Sequence, residues 1–337
     1  MGAGTGGPGG LMGRGPSYRV AAAQEGEVGD IRSVLVVGAG AVGAAVASII
    51  HAGKPGSLRV LADGSRISRY AADGFVINGR RFDFPLVSGE SPPAEGEEPD
   101  LIILAVKNQH LKSAISGMAP FVGARSLILS LLNGISSEDE LAAAFGREKI
   151  PYAMILGIDA VRNGNAIGFS GAGKIHFGDA LNRPGAWSER VSRIASFFDG
   201  CGIGYVVPED MIRSLWYKFM INVGINQASA VLRAPYRVFQ RVPEAKEAMY
   251  GAMEELIAIS RVKGTGLTEA DLDSWFATLL GLLPEAKTSM LQDVEARRET
   301  EVEAFAGRVI ALGGETGVPT PVNRLFFNLI RTIEQSY

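Results

Sequence analysis

Val34-Leu35-Val36-Val37-Gly38-Ala39-Gly40-Ala41-Val42-Gly43-Ala44-Ala45-Val46-Ala47 is the stretch that decides the fold. Val34–Val37 is short, branched and wholly apolar, the pattern of a strand buried on both faces. Ala44–Ala47 is small and helix-forming. The G-x-G-x-x-G string between them has a physical reading at each glycine. Gly38 permits the tight turn, Gly40 lets a pyrophosphate approach the backbone, and Gly43 lets the helix lie close to the strand. The helix N-terminus adds N–H donors and a partial positive charge. Glycines kept for helix–sheet packing alone would leave the same string. Its place between strand and helix, with a second strand ending at Asp63, 20 residues after Gly43, favours a dinucleotide site.

Working outward, Leu58–Ala62, Leu101–Val106 and Leu127–Leu132 are further apolar runs, with a helical stretch at His110–Ala119. Such alternation predicts βαβ units and a parallel sheet. Turn signals at Asn163-Gly164 and Gly171–Gly173 predict an antiparallel hairpin within Ala153–Asp179 that finishes this sheet. Ser188–Phe198 reads as a helix and Tyr205–Val207 as a last strand. Beyond Pro208 only helical patterns remain: Met211–Leu232, Pro243–Lys263, Glu269–Leu280, Leu283–Gly313 and Pro321–Glu334. The expected architecture is an α/β dinucleotide-binding domain over residues 31–208, then an all-helical domain over 209–337.

Composition narrows the function. A net charge of −3 gives no general attraction to nucleic acid or an anionic membrane. One cysteine (Cys201) and three scattered histidines (His51, His110, His176) leave no spacing for a metal cluster or a Ser-His-Asp triad. Residues 1–30 hold ten glycines and no hydrophobic periodicity, which predicts a disordered tail; they also lack a signal-peptide pattern, so a cytoplasmic protein is expected.

Polar residues in apolar surroundings mark the candidate chemistry. A carboxylate at Asp63 suits a ribose 2′-hydroxyl and so NAD, whereas Arg66 and Arg69 suit a 2′-phosphate and so NADP. Lys107 and Asn133 follow two buried strands, where an open sheet binds its ligands. Lys218, Asn222 and Asn226 form an i, i+4, i+8 stripe on an otherwise apolar helix; a lysine partly removed from water can trade protons near neutral pH. Ser289, Asp293, Arg297 and Glu301 repeat that spacing, although acids and bases so dense also describe a solvated, salt-bridged face.

In order along the chain, Gly38–Gly43, Ala105-Val106-Lys107, Leu132-Asn133-Gly134, Trp216-Tyr217-Lys218 with Asn222 and Asn226, and Thr288–Asp293 with Thr300-Glu301 together resemble the ketopantoate reductase family. The resemblance spans Ser33 to about Tyr337. It implies a Rossmann domain and a helical domain with the active site in the cleft between them. It also implies NADPH-dependent reduction of ketopantoate to pantoate, a step toward pantothenate and coenzyme A. Through it, Lys218 matches the catalytic general acid, and Glu301 a residue that binds substrate and supports the lysine. Asn222, Asn226 and Ser289 match substrate-binding positions, with Asn133 and Lys107 near nicotinamide and substrate. Gly38, Ala39, Gly40, Ala41, Val42 and Gly43, with Asp63, Arg66, Lys107, Asn133 and Glu301, form the implied cofactor set.

Two departures stand out. Tyr236 occupies a position where some members carry a further substrate-contacting asparagine, and Asp63 stands where many carry arginine, which admits NADH beside NADPH. The implied partner is a small 2-oxo acid, and a homodimer is compatible with the chain. The rival readings are a reductase of another 2-oxo acid and a non-catalytic dinucleotide sensor.

Overall fold

A computed structural model describes residues 30–337. The expected tail falls almost wholly on residues 1–29, outside the described residues.

Val34–Val37 is buried at every position and is the central strand of a five-stranded parallel sheet. The strand order is Leu86–Val87, Leu58–Leu61, Val34–Val37, Leu101–Leu104, Leu127–Ser130. Val34 pairs in register with Leu58 on one side and Leu101 on the other, so the order reverses at this strand. A crevice at the carboxyl ends follows from that reversal. Three strands stop short of their apolar runs, at Leu61, Leu104 and Ser130. Ala62, Ala105 and Leu131 each donate one more backbone bond to the neighbouring strand, and the chain beyond them leaves the ladder at the carboxyl edge, where Lys107 and Asn133 lie.

The hairpin does not finish this sheet. Tyr152–Ile158 and Ala172–Gly178 pair antiparallel, and with Tyr205–Val206 they form a separate three-stranded sheet. The tip is a second hairpin, Val161–Asn163 with Ala166–Gly168, which joins Phe75–Ile77 and Arg80–Phe82 in a four-stranded sheet. The cause is local. Gly157 (φ 71°) and Gly173 (φ 67°) are left-handed where the long ladder ends, and a Cβ on Gly173 would lie 2.4 Å from the Leu156 carbonyl oxygen. The hairpin bends there, and its outer part pairs elsewhere.

All elements from Met211 onward are helical and share one core that includes Phe219, Met249, Met253, Leu256 and Phe305. Helix Met211–Ile221 runs into a π-helical turn, Asn222–Asn226, and then into Gln227–Leu232. Gly224 lies within that turn, where a Cβ would meet the Met253 side chain at 2.2 Å, so the two segments pack backbone-close.

The pattern Leu283–Gly313 is not one helix. Helix Ser289–Glu295 ends, Arg297 takes a left-handed φ of 51°, and helical structure resumes at a π turn, Glu303–Gly307, leading into Arg308–Thr316. A tertiary contact holds the break: Glu334 Oε1 accepts from Thr300 N at 2.8 Å and Thr300 Oγ1 at 2.7 Å. Ser289, Asp293, Arg297 and Glu301 consequently share no continuous helical face.

Candidate active site

The glycine turn tests whether a dinucleotide fits. Gly38 has φ 96°, and a Cβ there would sit 2.7 Å from the Ala105 carbonyl oxygen; a Cβ on Gly43 would lie 2.0 Å from that of Gly38. Protein packing alone demands glycine at both. At Gly40 a Cβ would find its nearest neighbour 4.0 Å away, so packing makes no such demand. The space beside Gly40 is a cradle that a close-lying phosphate group fits. Helix Ala41–Gly53 starts there with no side-chain cap and no acid in its first turn, which suits an anion.

At the end of the neighbouring strand, Asp63 caps helix Gly64–Asp73 through Oδ1, which accepts from Arg66 N at 2.9 Å. Its other oxygen lies 3.3 Å from Arg66 Nε. The two residues whose signals conflict in the sequence are therefore partners, both exposed beside the turn.

The carboxyl edge faces the helical domain across a cleft. Lys218 projects from helix Met211–Ile221 and donates to Asn133 Oδ1 at 3.1 Å. Asn133 Nδ2 donates to Glu301 Oε2 at 2.9 Å, and Asn108 Nδ2 donates to Glu301 Oε1 at 2.8 Å and to the Asn133 carbonyl at 3.0 Å. Lys218, on a helix, and Glu301, in the break between helix Ser289–Glu295 and the π turn Glu303–Gly307, thus meet through an asparagine of the sheet domain. Beside them Lys107 crosses to Asp293 Oδ2 at 3.0 Å and to the Glu299 carbonyl at 3.1 Å, and Asp293 also accepts from Arg298 Nε at 2.8 Å. Asp293 is buried, so this acid–base pair is an interdomain link rather than a solvated face.

Electrostatics single out Lys218. It keeps some exposure, yet burial brings its pKa down to about 8, against the opposing pull of Glu301 and Glu138. Glu138, in the first turn of helix Ser137–Phe145, is fully buried, and burial pushes its carboxyl up to about 7. Ser137 Oγ donates to it at 3.0 Å. Burial, then the Lys218 and Lys174 charges, hold His176 below its usual range.

Asn222 and Asn226 lie in the π turn, a distortion frequent at functional sites. Asn226 Nδ2 approaches Asn222 Oδ1 at 3.4 Å, while Asn222 Nδ2 is buried with no acceptor among the described residues. A buried donor left over is costly unless a ligand accepts from it. Ser289 stands apart from this cluster: it is the exposed first residue of its helix, with no bond to these residues. Tyr236 is half-buried at the head of helix Tyr236–Arg241.

Sequence reasoning missed Asn108 and Glu138. Asn108 follows Lys107 directly at a strand end and shares its positional signal. Glu138 reads as an ordinary first-turn acid, and only tertiary packing removes it from water.

A glycine-turn domain and a helical domain that close on a buried lysine define the two-domain class of dinucleotide-dependent oxidoreductases. Known proteins agree. The family model described as "Ketopantoate reductase PanE/ApbA" matches residues 34–182, and "Ketopantoate reductase PanE/ApbA C terminal" matches residues 210–334. The chain belongs to the ketopantoate reductase family. The 2-dehydropantoate 2-reductase of Aquifex aeolicus (strain VF5) is 24% identical over 310 residues, covering 90% of this chain and 97% of that protein. Among solved structures, D-mandelate dehydrogenase with NADH and anilino(oxo)acetate shares the fold at a TM-score of 0.80 and 19% identity, over 90% of this chain and 99% of that one. A PanE/ApbA family ketopantoate reductase from Ralstonia eutropha JMP134 does so at 0.77 and 23%, with the same coverage.

Proposed function

We propose that this protein reduces ketopantoate (2-dehydropantoate) to pantoate with NADPH, and that Lys218 is its proton donor. The observation that carries the reading is the lysine itself: enclosed by protein, with a pKa near 8, and bonded to Asn133, which also binds Glu301.

In this reading residues 31–208 bind the dinucleotide and residues 209–337 bind the substrate. Gly38–Gly43 cradle the pyrophosphate, Asp63 and Arg66 flank the adenosine ribose, and Lys107 and Asn133 stand toward the nicotinamide. When bound, the reduced nicotinamide supplies a hydride to the 2-keto carbon. Asn133 Oδ1 takes one Lys218 proton in a hydrogen bond and so aims the ammonium. The other Nζ protons face the keto oxygen, stabilise its growing negative charge, and one transfers to it; such acid catalysis contributes roughly 10²–10⁴-fold. Glu301, oriented by Asn108 and Asn133, accepts from a substrate hydroxyl and supports the lysine's positive charge. Asn222 Nδ2 donates to a substrate oxygen with Asn226 beside it, while Ser289 stands apart from this cluster.

NADPH is preferred here on family grounds, and the Asp63–Arg66 pair leaves NADH admissible. Among the described residues no helix is long and apolar enough to cross a membrane. A second reading, another 2-oxo acid on the same machinery, is favoured by Tyr236. The test is absorbance decay of NADPH and NADH in parallel, with ketopantoate and a panel of 2-oxo acids. Fastest turnover on ketopantoate supports the proposal, and a better substrate elsewhere in the panel supports the second reading. Tight NADPH binding with no turnover on any 2-oxo acid would overturn both.

A further inference from the structure

We infer that Arg162, at the tip of the outlying hairpin, clamps the pyrophosphate of the bound dinucleotide. The inference rests on the nucleotide-binding reading above and adds a residue outside the glycine motif.

Arg162 is the central residue of strand Val161–Asn163, more than 100 residues beyond the turn in sequence. Its Nη1 donates to the Ala39 carbonyl at 2.6 Å, inside the G-x-G-x-x-G turn, and its Nε donates to the Gly164 carbonyl at 2.7 Å. Its guanidinium lies 5.9 Å from the centre of the Tyr70 ring. Both acceptors and the ring are neutral, and among the described residues no carboxylate pairs with Arg162. This half-buried guanidinium has no counter-charge among the described residues, and Nη2 and one Nη1 proton have no acceptor there.

The turn next to it lacks a cation. Gly38–Ala47 contains no lysine or arginine, and the helix N-terminus offers about half a positive charge against a doubly charged pyrophosphate. Of the other cations on this side, Arg66 pairs with Asp63 at 3.3 Å, Lys107 pairs with Asp293 at 3.0 Å, and Arg69 is exposed, its guanidinium 5.2 Å from the centre of the same Tyr70 ring. Arg162 is tied to the residue preceding Gly40, whose Cβ side is open. Two carbonyl tethers also fix its side chain before the ligand arrives, so little rotamer entropy is lost on binding.

The test is binding rather than turnover. Affinities of the wild-type protein, Arg162→Ala and Arg162→Gln are measured by calorimetry for NADPH, NADH, ADP-ribose and adenosine. Gln retains an amide donor for Ala39 but no charge, which guards against a variant that merely misfolds. Both variants are expected to weaken NADPH, NADH and ADP-ribose about 10- to 100-fold, the range of charge-assisted hydrogen bonds, while adenosine, which carries no phosphate, changes less than about threefold. Loss confined to NADPH would assign Arg162 to the 2′-phosphate and overturn the inference. So would unchanged ADP-ribose affinity in Arg162→Gln, or equal losses for adenosine and ADP-ribose. A wild-type protein that binds neither NADPH nor NADH would instead overturn the underlying nucleotide reading, and the clamp with it.

Discussion

At the scale of single residues, the burial of Lys218 ties stability to pH. Its pKa falls from 10.5 to about 8 on folding, so the native state holds the proton more weakly than the unfolded chain. Stability from this group is full above pH 10.5, is lost as pH falls through about 8, and is absent at neutral pH, where the buried ammonium is a cost. Lys218→Met is therefore expected to match or exceed the wild-type melting temperature at pH 7 while lowering kcat by 10²-fold or more. A fall in melting temperature with kcat retained would reject the assignment. In the wild-type protein kcat/KM should decline above about pH 8 as the donor loses its proton. At Asp63 the cap and the ion pair give opposed effects on substitution. Asp63→Ala removes a helix cap worth about 1 kcal/mol and frees Arg66, so the melting temperature should drop slightly while the ratio of NADPH to NADH affinity rises. An unchanged ratio would remove both residues from the ribose site.

At the scale of elements, the strand–turn–helix unit separates glycines that packing requires, Gly38 and Gly43, from one that packing does not, Gly40. Gly43→Ala drives a methyl group into the Gly38 carbonyl, and a loss of about 3 kcal/mol or more in urea unfolding is expected. Gly40→Ala meets open space, so its stability should stay close to wild type while dinucleotide affinity falls at least tenfold. Equal affinity in Gly40→Ala would mean that no phosphate lies against this backbone. Helix Ser137–Phe145 carries a second buried charge. Glu138 titrates near 7 rather than 4.5, so its stabilising contribution is present below pH 4.5 and lost as pH rises through 7. Glu138→Gln should raise stability at pH 8 by about 1 kcal/mol or more and flatten the pH dependence between 4.5 and 7. Removing this negative charge should also move the basic limb of the kcat/KM profile to lower pH, because Glu138 helps hold the proton on Lys218. An unmoved limb would show that the two groups are uncoupled.

At the scale of the molecule, the site exists only where two domains touch. Lys218 and Glu301 share no direct hydrogen bond; Asn133 joins them from the sheet domain, and Lys107–Asp293 spans the same cleft. Residues that act as one assembly give non-additive losses. Lys218→Ala combined with Glu301→Ala should therefore be little slower in kcat/KM than the worse single variant, and fully additive losses would show independent roles.

Much of this architecture is legible in sequence because its signals are local. Four apolar residues, three glycines at fixed offsets and a small-residue helix define the nucleotide turn without help from elsewhere, and the shift to helical periodicity after Pro208 marks the second fold unit. Pro243–Lys263 can be read to its end residues, since proline starts it and Gly264 stops it. The failures have non-local causes. Leu283–Gly313 keeps helical periodicity across a break that is held by Glu334, a residue of the last helix. The hairpin has the strand signals expected of it, but the choice of neighbouring sheet depends on where Gly157 and Gly173 bend it. Lys218 and Glu301 are visible as polar residues of interest, yet spacing along a chain cannot show that an asparagine 85 residues before the lysine lies between them. Local sterics and periodicity, encoded residue by residue, determined the elements; desolvation and interdomain hydrogen bonding, which arise only once distant segments are packed, decided which polar side chains form the site.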